Sequence, residues 1–161
     1  MVRHSLMTEG RWRDALEDPD ADVRRDALEQ LAHASPISPE VLEVVVSMLA
    51  DHDELVVDAA AFALGEHLVV TAVPPLCAVA QDHEDARCRE SAIAALGAIG
   101  DDRARSTVLQ ALEDKAPVRR RAVVALSNFE GPDIDAALER ASEDRDWQVR
   151  SAVAQLGDDE D

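Results

Sequence analysis

A short pattern, acid-x-acid-x-x-Val-Arg, opens at Asp18 in DPDADVRRDALEQL and returns down the chain. The later copies are DHDELVVDAAAFALG from Asp51, HEDARCRESAIAALG from His83, EDKAPVRRRAVVALS from Glu113 and DRDWQVRSAVAQLG from Asp144. Aligned on the apolar position they place Val23, Val56, Cys88, Val118 and Val149 in one register, at intervals of 33, 32, 30 and 31 residues. A unit this short has too little core to stand alone, so a chain built from five of them must stack them against one another.

Each copy carries a helical stripe. Four residues after the aligned position comes a small residue and eight after it a leucine: Ala27 and Leu31, Ala60 and Leu64, Ala92 and Leu96, Ala122 and Leu126. That spacing covers one face of an α-helix. The fifth copy is a residue shorter, with Val153 and Leu156 on its stripe, as suits a terminal unit. Val23, Ala27 and Leu31 are therefore expected in the core. The acids ahead of each stripe suit N-caps and the positive end of the helix dipole. Partner helices fall between the copies: in part of SLMTEGRWRDALED, in SPEVLEVVVSMLA with Ser38 as N-cap, in PPLCAVAQ, in DRARSTVLQALED and in PDIDAALERASED. Gly65, Gly97, Gly100 and Gly157 stand where these helices should stop.

Composition agrees. The chain has 161 residues, 47% of them hydrophobic, enough to bury a sizeable core and too many for disorder. Alanine occurs 28 times and aromatics make up 2%, which favours helix over sheet. The formal net charge is −18, and fifteen of the sixteen basic residues are arginine, Lys115 being the exception. Such a surface repels nucleic-acid phosphates and anionic headgroups, so neither nucleic acid nor membrane is expected as a partner. The acidity fits a salt-adapted cytoplasm, where a short Debye length tolerates self-repulsion. The use of arginine fits equally a genome rich in G and C. Two cysteines, Cys77 and Cys88, are too few for a disulfide scaffold and read as reduced thiols. The N-terminal MVRHSLMTEGRW lacks the apolar core of a signal peptide, and LVVTAVPPLCAVA is short for a span, so a soluble, cytoplasmic protein is expected.

The core D-x-x-V-R-x-x-A-x-x-x-L, seen as Asp20, Val23, Arg24, Ala27 and Leu31, resembles the short HEAT-like repeats of the HEAT-repeat family, the type named for phycocyanobilin lyase subunits. The resemblance covers about residues 11–157. It implies an all-α fold: an α-solenoid, a right-handed superhelix of about five HEAT-like helix pairs. The expected single domain divides into repeats near 5–34, 35–68, 69–99, 100–129 and 130–157, with an acidic tail at 158–161. The resemblance further implies a ladder joining successive repeats, its acids on Asp20, Asp53, Asp85 and Asp146 and its arginines on Arg24, Arg89, Arg119 and Arg150. Lys115 stands in place of one acid and Val57 in place of one arginine. A planar guanidinium bridging a carboxylate and helix-end carbonyls suits such a seam.

Chemistry finds little support in the residues. Deoxyhypusine hydroxylase, a HEAT-like enzyme, holds iron with His-Glu pairs at the start of its repeat helices. Here that place holds Glu90-Ser91; His83-Glu84 lies in a turn, and His4, His33 and His52 are out of register. His52 and His83 could approach in a stack, a weak alternative to solvated turn histidines. No G-x-S-x-G or glycine-rich phosphate loop is present. No catalytic, cofactor-binding or metal residue is therefore expected, and no cofactor. The expected function is a non-enzymatic scaffold or adaptor holding a protein partner on the concave face of the second helices. Arg25, Glu29, Phe62, Glu90, Arg120 and Arg121 are its candidate binding residues. Arg120 and Arg121 belong to a basic island in repeat four, read either as neutralised by Asp101, Asp102 and Asp114 or as a docking point for an acidic segment. The alternative function, from resemblance alone, is a bilin or tetrapyrrole lyase-like or accessory subunit.

Overall fold

The computed structural model of the chain describes residues 8–158; His4, the start of the first repeat and tail residues 159–161 lie outside the described residues. Ten α-helices follow one another with no strand among the described residues: α1 (Glu9–Leu16), α2 (Ala21–Ala32), α3 (Pro39–Ser47), α4 (Glu54–Glu66), α5 (Val73–Asp82), α6 (Ala86–Ile99), α7 (Arg105–Gln110), α8 (Ala116–Leu126), α9 (Pro132–Ala141) and α10 (Trp147–Asp158). Each odd helix pairs with the even helix after it, and α2, α4, α6, α8 and α10 stack in one row. The architecture is an α-solenoid.

Local chemistry accounts for the helix starts. Asp20, Asp53 and Asp85 accept the amides of Asp22, Leu55 and Arg87, and Asp146 accepts that of Gln148. Lys115 occupies the same place before α8 and caps nothing with its side chain. Ser38 caps α3, with Pro39 behind it. The segment after Asp102 forms the six-residue α7 between two 3-10 turns, Asp102–Ala104 and Ala111–Glu113, instead of one continuous helix.

The ladder exists, with different acids. Arg24 grips Asp51 of the next pair through two bonds of 3.0 Å and donates to the Asp18 and Pro19 carbonyls of its own turn. Arg89 does the same to Asp114, at 2.7 and 2.8 Å, and to the His83 and Glu84 carbonyls. Arg119 takes Asp144, at 2.9 and 2.8 Å, and the Asp114 carbonyl. Arg150 donates to the carbonyl of Asp144 in its own turn. The expected acids, Asp20, Asp53, Asp85 and Asp146, instead cap helices, because a carboxylate three residues before the aligned position points back at its own helix. The rung acid stands one or two residues earlier, Asp114 just before Lys115 and Asp51 and Asp144 two before Asp53 and Asp146, and faces the neighbouring pair. All three rung carboxyls are held below the usual carboxylate range. For Asp114 and Asp144 the arginine hydrogen bond is the main cause. For Asp51 burial pulls upward, and the bonds from Arg24 and the Asp53 amide carry it down.

The stripes form the core. Leu31, Leu64, Leu96 and Leu126 are wholly buried, each contributing about 1.5–3 kcal/mol of hydrophobic stabilisation. Val56, Cys88, Val118 and Val149 are equally buried, but Val23 is 39% exposed. That position packs against the preceding pair, as the Cys88 Sγ shows by donating to the Glu54 carbonyl of α4 at 3.2 Å. Among the described residues no pair precedes the first, so Val23 has no wall to meet.

Two glycines expected to end helices lie inside them. A Cβ on Gly97 would sit 2.6 Å from the Ala125 Cβ and 2.8 Å from its Cα; one on Gly65 would sit 3.0 Å from the Ala95 Cα. These glycines let α4, α6 and α8 approach closely. Gly157 also falls within α10. Gly100, at φ 66°, does end α6 in the left-handed conformation. At the end of α4 that conformation is taken by Leu68, at φ 51°.

Candidate partner-binding face

The even helices carry a second register besides their core stripe. Two residues past the aligned position stand Arg25, Asp58, Glu90, Arg120 and Ser151; three past it, Asp26, Ala59, Ser91, Arg121 and Ala152. Six past it come Glu29, Phe62, Ala94, Val124 and Gln155. These rows lie off the stripe, so they cross successive helices on the side away from the odd layer.

The six candidate residues all fall in these rows. On α2, Arg25 is shared among Asp22, Asp26 and Glu29 at 3.1, 3.4 and 3.6 Å. A hollow beside them is lined by Asp26, Glu29, Gln30, His33 and Phe62. Phe62 is 48% exposed and meets the His33 ring edge-on at 6.0 Å. On its other side a pocket of about 290 Å³ is walled by Phe62, Glu66, Glu90 and Arg121 and floored by Gly65, Ala94, Ala95 and Ala98. Arg121 reaches Glu90 at 3.3 Å, and Arg120 approaches the same oxygen at 4.0 Å. The structure therefore joins Phe62, Glu90 and Arg121 around one pocket, with Arg25 and Glu29 beside the next hollow. Arg120 points into a third hollow, between α8 and α10.

The basic island separates into two kinds of arginine. Arg103 pairs with Asp101, Arg105 with Asp102 and Asp133, and Arg119 with Asp144. Of the three acids expected to neutralise the island, Asp101 and Asp102 pair with Arg103 and Arg105 while Asp114 is taken by Arg89; Arg120 and Arg121 share Glu90.

Sequence reasoning missed Trp147, which is 66% exposed and lines the α8–α10 hollow with Val124 and Gln148. The signal was present. Two residues before the aligned position the other copies have Ala21, Glu54, Ala86 and Ala116, where the fifth has a tryptophan. It also missed two bonds across the seams at the far ends of the even helices: His67 Nε2 with the Leu31 carbonyl at 2.8 Å and Asn128 Nδ2 to the Gly97 carbonyl at 2.9 Å.

Other sites offer less. Cys88 is buried, and burial pushes its thiol up to about 11. Cys77 is half-buried, and both cysteines are free. His83 Nδ1 takes the Asp85 amide at 3.1 Å, a turn-forming role, while His52 is exposed. Among the described residues no group of three His, Cys, Asp or Glu is arranged to hold a metal ion, and no helix is long and apolar enough to cross a membrane. A hollow of about 640 Å³ between α7 and α9 has Arg119 and Asp144, already committed to a rung, in its wall.

The sequence model of the family described as HEAT repeats matches residues 11–97 and again 73–156. The chain belongs to the HEAT-repeat family. Its HEAT array is similar in fold to the complex of CpcE and CpcF of phycocyanin lyase from Nostoc sp. PCC7120, with a TM-score of 0.83 and 19% identity. That match covers 93% of this HEAT-repeat chain and 64% of the lyase chain, so it spans less than two thirds of that neighbour's length. A designed armadillo repeat protein in complex with the peptide (KR)4 matches at TM-score 0.69 and 17% identity, covering 92% of this chain and 80% of that one. Human deoxyhypusine hydroxylase matches at TM-score 0.59 and 20% identity, covering 91% and 71%. No curated protein matches the HEAT-repeat chain in sequence.

Proposed function

We propose that this HEAT-repeat chain is a non-enzymatic scaffold that holds a partner protein across the exposed, concave face of its even helices. One observation carries the reading. Phe62, Val124 and Trp147 stay 48%, 44% and 66% exposed on α4, α8 and α10, on the face where the hollows adjoin, while the leucines of the stripes are buried completely. Exposed large apolar side chains aligned over several elements, rimmed by charge, are what a protein interface needs before its partner arrives. The glycine contacts support the concavity. The even helices come close together at Gly65 and Gly97, and an even layer packed more tightly than the odd one would bend the stack around the even layer's exposed side. Two of the fold neighbours are solved as complexes with a second polypeptide, CpcE with CpcF and the armadillo design with its peptide.

The test is affinity capture at native salt with paired variants. Phe62→Glu with Val124→Glu should lose the captured protein. Val70→Glu, at another exposed valine away from this face, should keep it. A partner retained by the first variant and lost by the second would contradict the assignment. A second reading, a bilin or tetrapyrrole accessory subunit, is favoured only by the fold likeness to the lyase complex. A saturable red shift in absorbance on adding biliverdin to the purified chain would support it instead.

A further inference from the structure

The hollow between α8 and α10 differs from the rest of the surface in three ways. Among the described residues its lining includes no acidic one, in a chain with a formal net charge of −18. Arg120 and Arg121 both border it, 41% and 40% exposed, and among the described residues the one carboxylate they share, Glu90, leaves a positive charge uncompensated. Arg121, which borders both this hollow and the pocket beside Phe62, carries the single buried side-chain nitrogen or oxygen without a hydrogen-bond partner among the described residues, its Nε. A buried guanidinium donor left unpaired is costly, and an acceptor brought in by a ligand would remove that cost. The remaining walls complete a pocket of about 370 Å³: Trp147 and Val124 are apolar, and Gln148, Ser151 and Gln155 carry neutral hydrogen-bonding groups.

We propose that this hollow binds a single carboxylate flanked by an aromatic side chain, presented by an acidic segment of the partner protein. The guanidiniums of Arg120 and Arg121 take the carboxylate in charge-assisted hydrogen bonds, with the Arg121 Nε among the donors. The neighbouring ring stacks on the indole of Trp147 and covers Val124. The charge balance selects a carboxylate over a phosphate. One negative charge matches the uncompensated positive charge, whereas a phosphate dianion would leave an excess beside Glu90. The inference rests on the scaffold reading above and names what one end of that face recognises.

The probe is the blocked dipeptide acetyl-Phe-Asp-amide, titrated into the full chain labelled with nitrogen-15. The resonances followed are the Arg121 Nε–Hε pair and the Trp147 indole N–H. Both should move along one saturable curve with a Kd of about 1 mM, as befits a two-residue fragment. Acetyl-Phe-Asn-amide should bind at least ~10-fold more weakly. Arg121→Gln and Trp147→Ala should each abolish saturation; Trp147 is largely exposed, so its loss leaves the fold intact. Arg103→Gln, which changes a guanidinium paired with Asp101 elsewhere, should not weaken binding. A flat titration, an equal response to the asparagine peptide, tighter binding of inorganic phosphate, or an unchanged curve in Trp147→Ala would overturn the proposal. A flat titration with partner capture still lost in Phe62→Glu/Val124→Glu would remove this inference alone. Capture insensitive to that face would remove the scaffold reading beneath it.

Discussion

Val57 and His83 occupy the two sides of a rung that three other seams build from arginine and aspartate. Val57 is wholly buried where Arg24, Arg89 and Arg119 stand in the other pairs. His83 takes the turn position that Asp51 and Asp144 fill. The absence is matched on both sides, so neither a buried guanidinium nor a rung carboxylate is stranded at this seam. Other contacts hold it: Cys88 Sγ to the Glu54 carbonyl, Arg87 to Glu54 at 3.5 Å, Ser91 Oγ to the Asp58 carboxylate, and the close approach at Gly65.

The missing rung can be restored as a double-mutant cycle. Val57→Arg alone should destabilise by about 2–4 kcal/mol, since it buries a charge without a partner. Adding His83→Asp should recover about 1–2 kcal/mol beyond the sum of the single effects. Urea unfolding of the four proteins measures this. Additive single effects would mean that the rung geometry does not transfer to this seam.

The existing rungs make stability depend on pH in one direction. The Arg89 guanidinium holds the Asp114 carboxyl below its usual range. A depressed folded pKa contributes stability that is present above the unfolded carboxylate value, about 3.9, and is lost as pH falls through the folded value. Asp114→Asn should therefore cost about 2–3 kcal/mol at pH 7, and the gap to wild type should narrow steadily below about pH 4. Urea midpoints of both proteins across that range test the sign. A gap that widens on acidification would contradict it.

Overpacking tests the close approach of the even helices. Gly97→Ala gains helix propensity of about 1 kcal/mol, yet must part α6 from α8 around Ala125, so a net loss of about 1–3 kcal/mol is expected. Gly65→Ala meets Ala95 at a longer distance and should cost less. Thermal unfolding of the two variants gives the order; a stabilised Gly97→Ala would mean the helices are not held that close.

The thiols should react in two steps. Cys88 is buried with its thiol pushed up to about 11, so it should resist a disulfide reagent at pH 8 until the chain unfolds. Half-buried Cys77 should react in the folded protein. Two fast thiols per folded chain would contradict the packing around Cys88.

Periodicity made much of this architecture legible. The copies and their stripes place α2, α4, α6, α8 and α10, because the same leucine must meet the same neighbour in each pair. What escaped were facts about facing. Two acids stand in each turn, and only the neighbour's position shows that Asp51 stitches while Asp53 caps. Gly65 and Gly97 read as stops because a glycine in one helix looks the same whether it ends that helix or admits another. Val23 reads as core because its register does not reveal that no described pair lies before it. On the face, the six candidates lie in the off-stripe rows, whereas Trp147 precedes its stripe and stands outside those rows.

On the proposed reading, a partner protein occupies the even-helix face. A photo-crosslinking benzophenone amino acid placed at position 124, on α8 of that face, or at position 136, exposed on α9 of the odd layer, tests it directly. After irradiation in extract at native salt, position 124 should yield one crosslinked protein and position 136 none. The same protein crosslinked from position 136, with none from 124, would place binding on the odd layer and contradict the account.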